Sequence, residues 1–114
     1  MYYEENVSKC KSKQDRFLKT QKFLKLPKRW QCVTECIFRT ILASPNLYCN
    51  KSNRTLSAET GVSIHVVNQV RLWLESEGVV SILRLKNGNR SNRRYLLQMT
   101  CVGTEKLEIT KMTW

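Results

Sequence analysis

Residues 52–78 read SNRTLSAETGVSIHVVNQVRLWLESEG and predict two helices joined by a very short turn. Ser52 and Ser63 are good N-caps, because a serine hydroxyl accepts a hydrogen bond from a backbone N–H of the first helical turn. Gly61 and Gly78 follow the two helices and supply the left-handed residue that ends a helix. Only three residues separate the helices, and such a glycine-containing turn is the signature of a helix-turn-helix.

The flanking segments complete an α+β order. Residues 30–43 place apolar side chains at helical spacing, and residues 47–49 suit one edge strand. Residues 79–85 and 95–99 are strand-like, and an Asn-Gly pair between them favours a hairpin turn because both residues tolerate positive φ. Helix, strand, helix, turn, helix and hairpin is the order of a winged helix-turn-helix, with a three-helix core and a β-hairpin wing.

The chain of 114 residues has room for one such domain and an extension at each end. We expect a basic N-terminal arm over residues 1–28, the winged helix-turn-helix domain over residues 29–100, and an extension suited to a strand over residues 101–114. Within the arm, residues 1–13 lack periodicity and are interpreted as flexible, whereas residues 14–25 suit a short basic helix.

The composition favours a polyanionic partner and a reducing compartment. The chain has 20 Lys and Arg against 9 Asp and Glu, a formal net charge of +11, and such an excess is typical of proteins that bind nucleic acid or an anionic surface. No apolar run approaches the ~20 residues of a membrane-spanning helix, and no export signal is visible. The cysteines are odd in number without a Cys-x-x-Cys pair, so we expect free thiols, a cytoplasmic location and no membrane partner.

The second helix of the pair has an apolar side and a polar side at about 100° per residue. The residues expected in the core are Val66, Val67, Val70, Trp73 and Leu74. Side chains on the other side suit base edges, since an amide matches adenine, Arg reaches guanine and an apolar group meets a thymine methyl. We therefore predict a recognition helix over residues 64–77. Its base-reading candidates are His65, Asn68, Gln69, Arg71 and Leu72.

The predicted wing, residues 84–94, contains five cations and no acid. A basic hairpin can lie on phosphates or insert an arginine into a narrow minor groove. Two further cations precede or begin the first helix of the pair, where free backbone N–H groups also favour phosphate. The candidates for phosphate or wing contacts are Lys51, Arg54, Lys86, Asn87, Arg90, Arg93 and Arg94.

The sequences LSAETGVS and LESEGVV, at residues 56–63 and 74–80, resemble the winged-helix domains of bacterial and phage regulators. FLKLP at residues 23–27 and the segment at residues 48–55 are similar to phage or plasmid replication-initiator domains, where a Phe-x-Lys-hydrophobic-Pro lead precedes the first helix. The resemblance covers residues 23–99 and implies operator or origin binding. It departs at position 71, where many relatives have Leu.

These observations predict sequence-specific binding of double-stranded DNA, by a phage, plasmid or viral regulator or replication-origin binder, without catalysis or a cofactor. A homodimer and contacts with replication or transcription machinery are left open. The alternative is a winged-helix module that binds protein or RNA without reading DNA sequence. For RNA, no aromatic RNA-binding strand motif or clamp loop is present.

A zinc site is a second alternative. Cys32 and Cys36 lie at i and i+4, and Cys49 and His65 would complete four ligands of the types that zinc prefers. The paired-cysteine spacing of structural zinc modules is missing, and small buried cysteines are common in cores, so we favour buried thiols and predict no metal. His65 is the only histidine, and nothing orients it with a thiol or an acid, so no catalytic residue is assigned.

Overall fold

The computed structural model describes residues 2–85 and 94–101 and has an α+β fold. Its elements are α1 (Tyr2–Leu18), α2 (Gln21–Leu24), α3 (Lys28–Ala43), α4 (Asn53–Thr60), α5 (Ile64–Ser76), β1 (Val80–Leu85) and β2 (Arg94–Met99). The two strands pair antiparallel, and a single antiparallel bridge joins Cys49 to Leu97. The predicted α+β class is confirmed, while the strand expected at residues 47–49 is reduced to that bridge.

The capping signals of α4 and α5 act as the sequence predicts. Ser52 Oγ accepts a hydrogen bond from the N–H of Thr55 at 3.1 Å, and Ser63 caps α5 in the same way at 3.3 Å. Gly61 and Gly78 both have a φ of +73°, in the left-handed region where a side chain is strained. The local sequence therefore fixes where both helices begin and end.

The core is assembled around α3, which packs against α1, α4, α5 and β2. Fully buried apolar side chains come from each of these elements and from β1, and α1 contributes Cys10. The largest of them are Val33, Ile37, Ile41, Leu56, Val67, Val70, Leu74, Leu97, Met99 and Val80. Burial of this set, at about 25 cal/mol per Å² of apolar surface, drives the helices and the hairpin together.

The expectation of a flexible segment at residues 1–13 is wrong for the part that the structure describes. Residues 2–18 form a single helix, in which Cys10 and Phe17 are buried. Asn6 and Gln14 also face inward, and Gln14 Nε2 donates to the carbonyl oxygen of Phe38 at 3.3 Å. The polar Asn6 interrupts the apolar spacing over residues 2–13, so this part of the helix does not show as a pattern. The short helix predicted over residues 14–25 is present in two pieces, the end of α1 and α2, separated at residues 19–20.

An aromatic cluster joins the N-terminal helices to α3 and α5. The ring of Phe17 lies 5.9 Å from that of Phe23, 6.0 Å from that of Phe38 and 5.7 Å from that of Trp73, measured between centroids. Trp30 meets Trp73 edge-on at 6.2 Å. These separations and tilts are those at which aromatic pairs attract beyond their simple burial. The N-terminal segment is therefore part of the core.

The hairpin predicted after α5 is present, with strand bounds one residue from those expected. Its register pairs Val80 with Met99 and Leu85 with Arg94. Thr100 Oγ1 donates to the carbonyl oxygen of Gly78 at 2.7 Å, so the hairpin closes against the end of α5. The expected turn between the strands and the expected strand in the C-terminal extension lie outside the described residues.

Among the helices of residues 2–85, none combines the length and the apolar character needed to cross a membrane.

Leu74→Asp should prevent folding, whereas Leu72→Asp should not. Leu74 is fully buried, and a charge there costs several kcal/mol against a total stability of about 5–15 kcal/mol. Leu72 is 46% exposed, so a carboxylate stays in water. Thermal unfolding followed by circular dichroism should show a melting temperature near the parent for Leu72→Asp and no cooperative transition for Leu74→Asp. Equal melting temperatures would mean that α5 presents its other side to the core.

Candidate nucleic-acid interface

α5 divides into a buried side and an exposed side, as predicted. Val67, Val70 and Leu74 are fully buried, and Val66 and Trp73 are half-buried against the same core. The exposed side chains are Ile64, His65, Asn68, Gln69, Leu72 and Ser76. Because helical residues repeat every 3.6 positions, burial of the first set requires exposure of the second.

The exposed side of α5 carries hydrogen-bonding groups and apolar groups instead of charges. Residues 64–74 contain no Asp, Glu or Lys. Ile64 and Leu72 are large apolar side chains that remain 47% and 46% exposed. A helix face that only meets water is typically rich in charged residues. This face is therefore suited to contact with another molecule.

Arg71 is not on the exposed side of α5. The expectation that it is exposed, as a base-reading residue must be, is therefore wrong. Its side chain is 3% exposed, and its Nη1 donates a hydrogen bond to Asn53 Oδ1 at the start of α4. The helical wheel places Arg71 at the border between the two sides of α5. Packing of α4 against α5 covers that border. We therefore remove Arg71 from the set of residues that would touch bases directly.

Asn53 links Arg71 to the exposed side and was missed by sequence reasoning. Its Nδ2 donates to Asn68 Oδ1 at 3.3 Å, so one half-buried amide contacts both α5 residues. Asn53 lies 18 residues from Arg71 and 15 from Asn68. Its only signal in the sequence is its position directly after the N-cap serine, which predicts a helix start but no partner.

Lys51 and Arg54, the two residues near the start of α4 that are predicted to bind phosphate, differ in their surroundings. Lys51 Nζ lies 2.7 Å from Glu59 Oε1, and this hydrogen bond raises the pKa of Lys51. Arg54 is exposed. Lys51 would have to leave Glu59 to reach a phosphate, so Arg54 is the better-placed cation of the two.

The predicted wing is described only at its base. Lys86, Asn87, Arg90 and Arg93 lie outside the described residues. Arg94 begins β2, where its backbone pairs with Leu85. The contacts expected of these side chains with phosphates therefore stay predictions.

The N-terminal segment, residues 1–28, is basic, and α2 within it lies beside the end of α5. Its exposed cations, together with Arg29 at the start of α3, are Lys9, Lys11, Arg16, Lys19, Lys22, Lys25 and Lys28. Lys22 Nζ lies 2.9 Å from Glu77 Oε1, at the C-terminal cap of α5. An exposed pair of this kind contributes at most about 1 kcal/mol. The pair joins α2 to the C-terminal end of α5.

The four residues considered as zinc ligands do not form one site, although Cys36 and Cys49 lie close enough to interact. Cys36 and Cys49 are buried, Cys32 is exposed, and His65 is on the exposed side of α5. Over residues 2–85 and 94–101, no group of three or more His, Cys, Asp or Glu is placed to hold a metal ion. The burial of Cys36 and Cys49 is what the interpretation as core thiols requires.

Comparison with family models, curated proteins and solved structures found no match for this chain. The resemblance of residues 23–99 to winged-helix regulators and replication initiators therefore stays a prediction.

Thiol labelling should separate exposed from buried cysteines. Burial raises the pKa of Cys10 to about 12, with the neighbouring Cys101 thiol adding to the shift, and burial also raises the pKa of Cys49. Because the thiolate is the reacting form, both should react far more slowly than the exposed Cys32 at about pH 8. Mass spectrometry after a short pulse of iodoacetamide should find label on Cys32 first.

Cys32→Ser is the matched control and should remove the fast phase of labelling. Zinc added before the pulse should leave the pattern unchanged. Labelling of Cys49 in the folded protein as rapidly as Cys32 would contradict its buried position.

Proposed function

We propose that this chain is a winged helix-turn-helix protein that binds double-stranded DNA through α5. It would act in the cytoplasm, as a regulator or replication-origin binder of a phage, plasmid or virus. The observation that carries the proposal is the uncharged, hydrogen-bonding side of α5, held outward by burial of the opposite side. α4 precedes it across a three-residue turn, and docking of a helix-turn-helix on DNA requires that pair of helices.

The chemistry of the exposed side favours a base-reading role. The major groove of DNA is about 12 Å wide and admits one helix, whose N-terminal residues contact base edges. His65, Asn68 and Gln69 lie in the first two turns of α5 and supply donors and acceptors. Ile64 and Leu72 supply exposed apolar groups for thymine methyls.

The positive charge of the chain supplies the part of the affinity for DNA that does not depend on the DNA sequence. A net charge of +11 attracts a polyanion, and each phosphate that is neutralised releases counterions into solution. Arg54, the basic residues of the predicted wing and the exposed cations near α2 are the candidates for these contacts. Base reading and phosphate binding are thus assigned to different residues, as is usual in protein–DNA interfaces.

Salt titration tests the proposed function. The logarithm of the association constant for a fluorescently labelled duplex should fall linearly with the logarithm of salt concentration. With about six phosphate contacts, the loss between about 50 and 200 mM salt is roughly a thousandfold. Fluorescence anisotropy gives the constants, and RNA duplexes of the same sequence serve as the comparison. Binding that is absent for a random pool of DNA duplexes, or insensitive to salt, would exclude the proposal.

Asn68→Ala and Gln69→Ala should relax sequence preference without unfolding the protein. Each side chain is exposed, so the melting temperature should stay near that of the parent. Each good base contact provides about 1–3 kcal/mol of discrimination, so preference should be lost at one or two base pairs while non-specific affinity hardly changes. Selection from a random duplex pool followed by sequencing measures this.

Gln21→Ala, an exposed amide on α2, is the control for these two substitutions and should keep the binding motif of the parent. If Asn68→Ala and Gln69→Ala also kept the complete motif, α5 would not be the reading helix.

A further inference from the structure

Two linked hydrogen bonds join three side chains, from the interior of the protein to the exposed side of α5. The buried Arg71 donates through Nη1 to Asn53 Oδ1, and Asn53 Nδ2 donates in turn to Asn68 Oδ1 at 3.3 Å. Arg71 is 3% exposed, Asn53 is half-buried and Asn68 is exposed. The amide at the centre of the proposed reading face is therefore connected to a fixed cation inside the protein.

The guanidinium sets the direction of each hydrogen bond in this chain. Arginine has N–H donors and no acceptor, so Asn53 must turn its carbonyl oxygen toward Arg71. The NH2 group of Asn53 then faces Asn68, which must turn its own oxygen inward to accept. The NH2 group of Asn68 is left facing outward. Rotating either amide by half a turn would set donor against donor and lose a hydrogen bond.

Resting on the proposed DNA-binding function, we infer that Arg71 and Asn53 are positioning residues that present Asn68 to DNA as a hydrogen-bond donor. Asn68 then selects guanine, whose major-groove edge carries two acceptors, N7 and O6, over thymine, which carries only O4. Adenine, the match expected from sequence, offers N7 beside the N6 amino donor and needs the amide oxygen as well. In this structure that oxygen is turned toward Asn53, from which it accepts a hydrogen bond.

Asn53→Asp tests this inference because a carboxylate accepts hydrogen bonds and donates none. The carboxylate keeps its bond to Arg71 but forces Asn68 to donate inward, which turns the Asn68 oxygen toward DNA. Position 53 is the first residue of α4, where a negative charge is favourable, so the variant should fold.

Selection from a random duplex pool should show that this variant has a changed base preference at one base pair. The parent should prefer guanine at that position by roughly tenfold, and Asn53→Asp should prefer cytosine or adenine, which carry an amino donor in the major groove, by a similar factor. Asn68→Ala should lose the preference, and adding Asn53→Asp to Asn68→Ala should shift nothing further.

Asn50→Asp is the matched control, since it introduces the same charge at an exposed residue just before α4. It should weaken binding to all duplexes by similar factors and keep the base preference of the parent. This separates a general electrostatic effect from reorientation of the Asn68 amide.

Three results would overturn the inference. The first is a parent that prefers adenine at the base pair controlled by Asn68. The second is an Asn53→Asp protein that keeps the selection of the parent at every position, while Asn68→Ala changes it; DNA binding itself would then stand. The third is a parent that shows no salt-dependent duplex binding, which removes the proposed function together with the inference that rests on it.

Asn53→Ala covers the case in which Asn53→Asp fails to fold. Alanine removes the donor to Asn68, so the Asn68 amide can turn either edge outward and should accept guanine and adenine about equally. Unchanged selection of guanine by Asn53→Ala would show that Arg71 and Asn53 do not orient Asn68.

Discussion

Burial of one side of α5 is the constraint on which the rest of this structure depends. Val67, Val70 and Leu74 are fully buried among side chains of α3 and α4. A helix has a fixed 3.6-residue repeat, so placing these residues inside leaves no freedom in where the others point. The exposed side of α5 is a geometric consequence of the core, and its chemistry can vary without loss of the fold.

The N-terminal segment stabilises α5 at the C-terminal end of that helix. Trp73, near the end of α5, contacts both Phe17 and Trp30, and α2 reaches Glu77 through Lys22. An aromatic pair contributes about 0.5–1.5 kcal/mol beyond its burial, whereas the exposed ion pair contributes little. The aromatic rings therefore matter more than the charges in holding α1 and α2 against α5. The charges are left available on the surface.

The sequence predicts the elements whose signals are local. The caps at Ser52 and Ser63 and the left-handed Gly61 lie within the segments that they define, and the structure has all three as expected. Residues 2–13 of α1 are not predicted as helix, because the polar Asn6 occupies an inward position where a pattern search requires an apolar residue. Tertiary packing overrides the local pattern there.

In the candidate site too, some features follow from local sequence and others depend on tertiary packing. Exposure of Asn68 follows from a helical wheel, because it depends on one helix alone. Burial of Arg71 depends on how closely α4 packs against α5, and its contact with Asn53 spans 18 residues of sequence. No periodicity within either helix contains that information, so the residues that orient Asn68 emerge only from the structure.

Burial of the Arg71 side chain has a free-energy cost, because a buried charge loses its hydration. Such a charge persists where it is hydrogen-bonded, as Arg71 is to Asn53. The neighbouring inward positions of α5 carry Val and Leu. A leucine would pack here but could not impose a direction on the hydrogen bonds of Asn53. Because a guanidinium only donates, it orients both amides, and this is a property that an apolar core residue cannot supply.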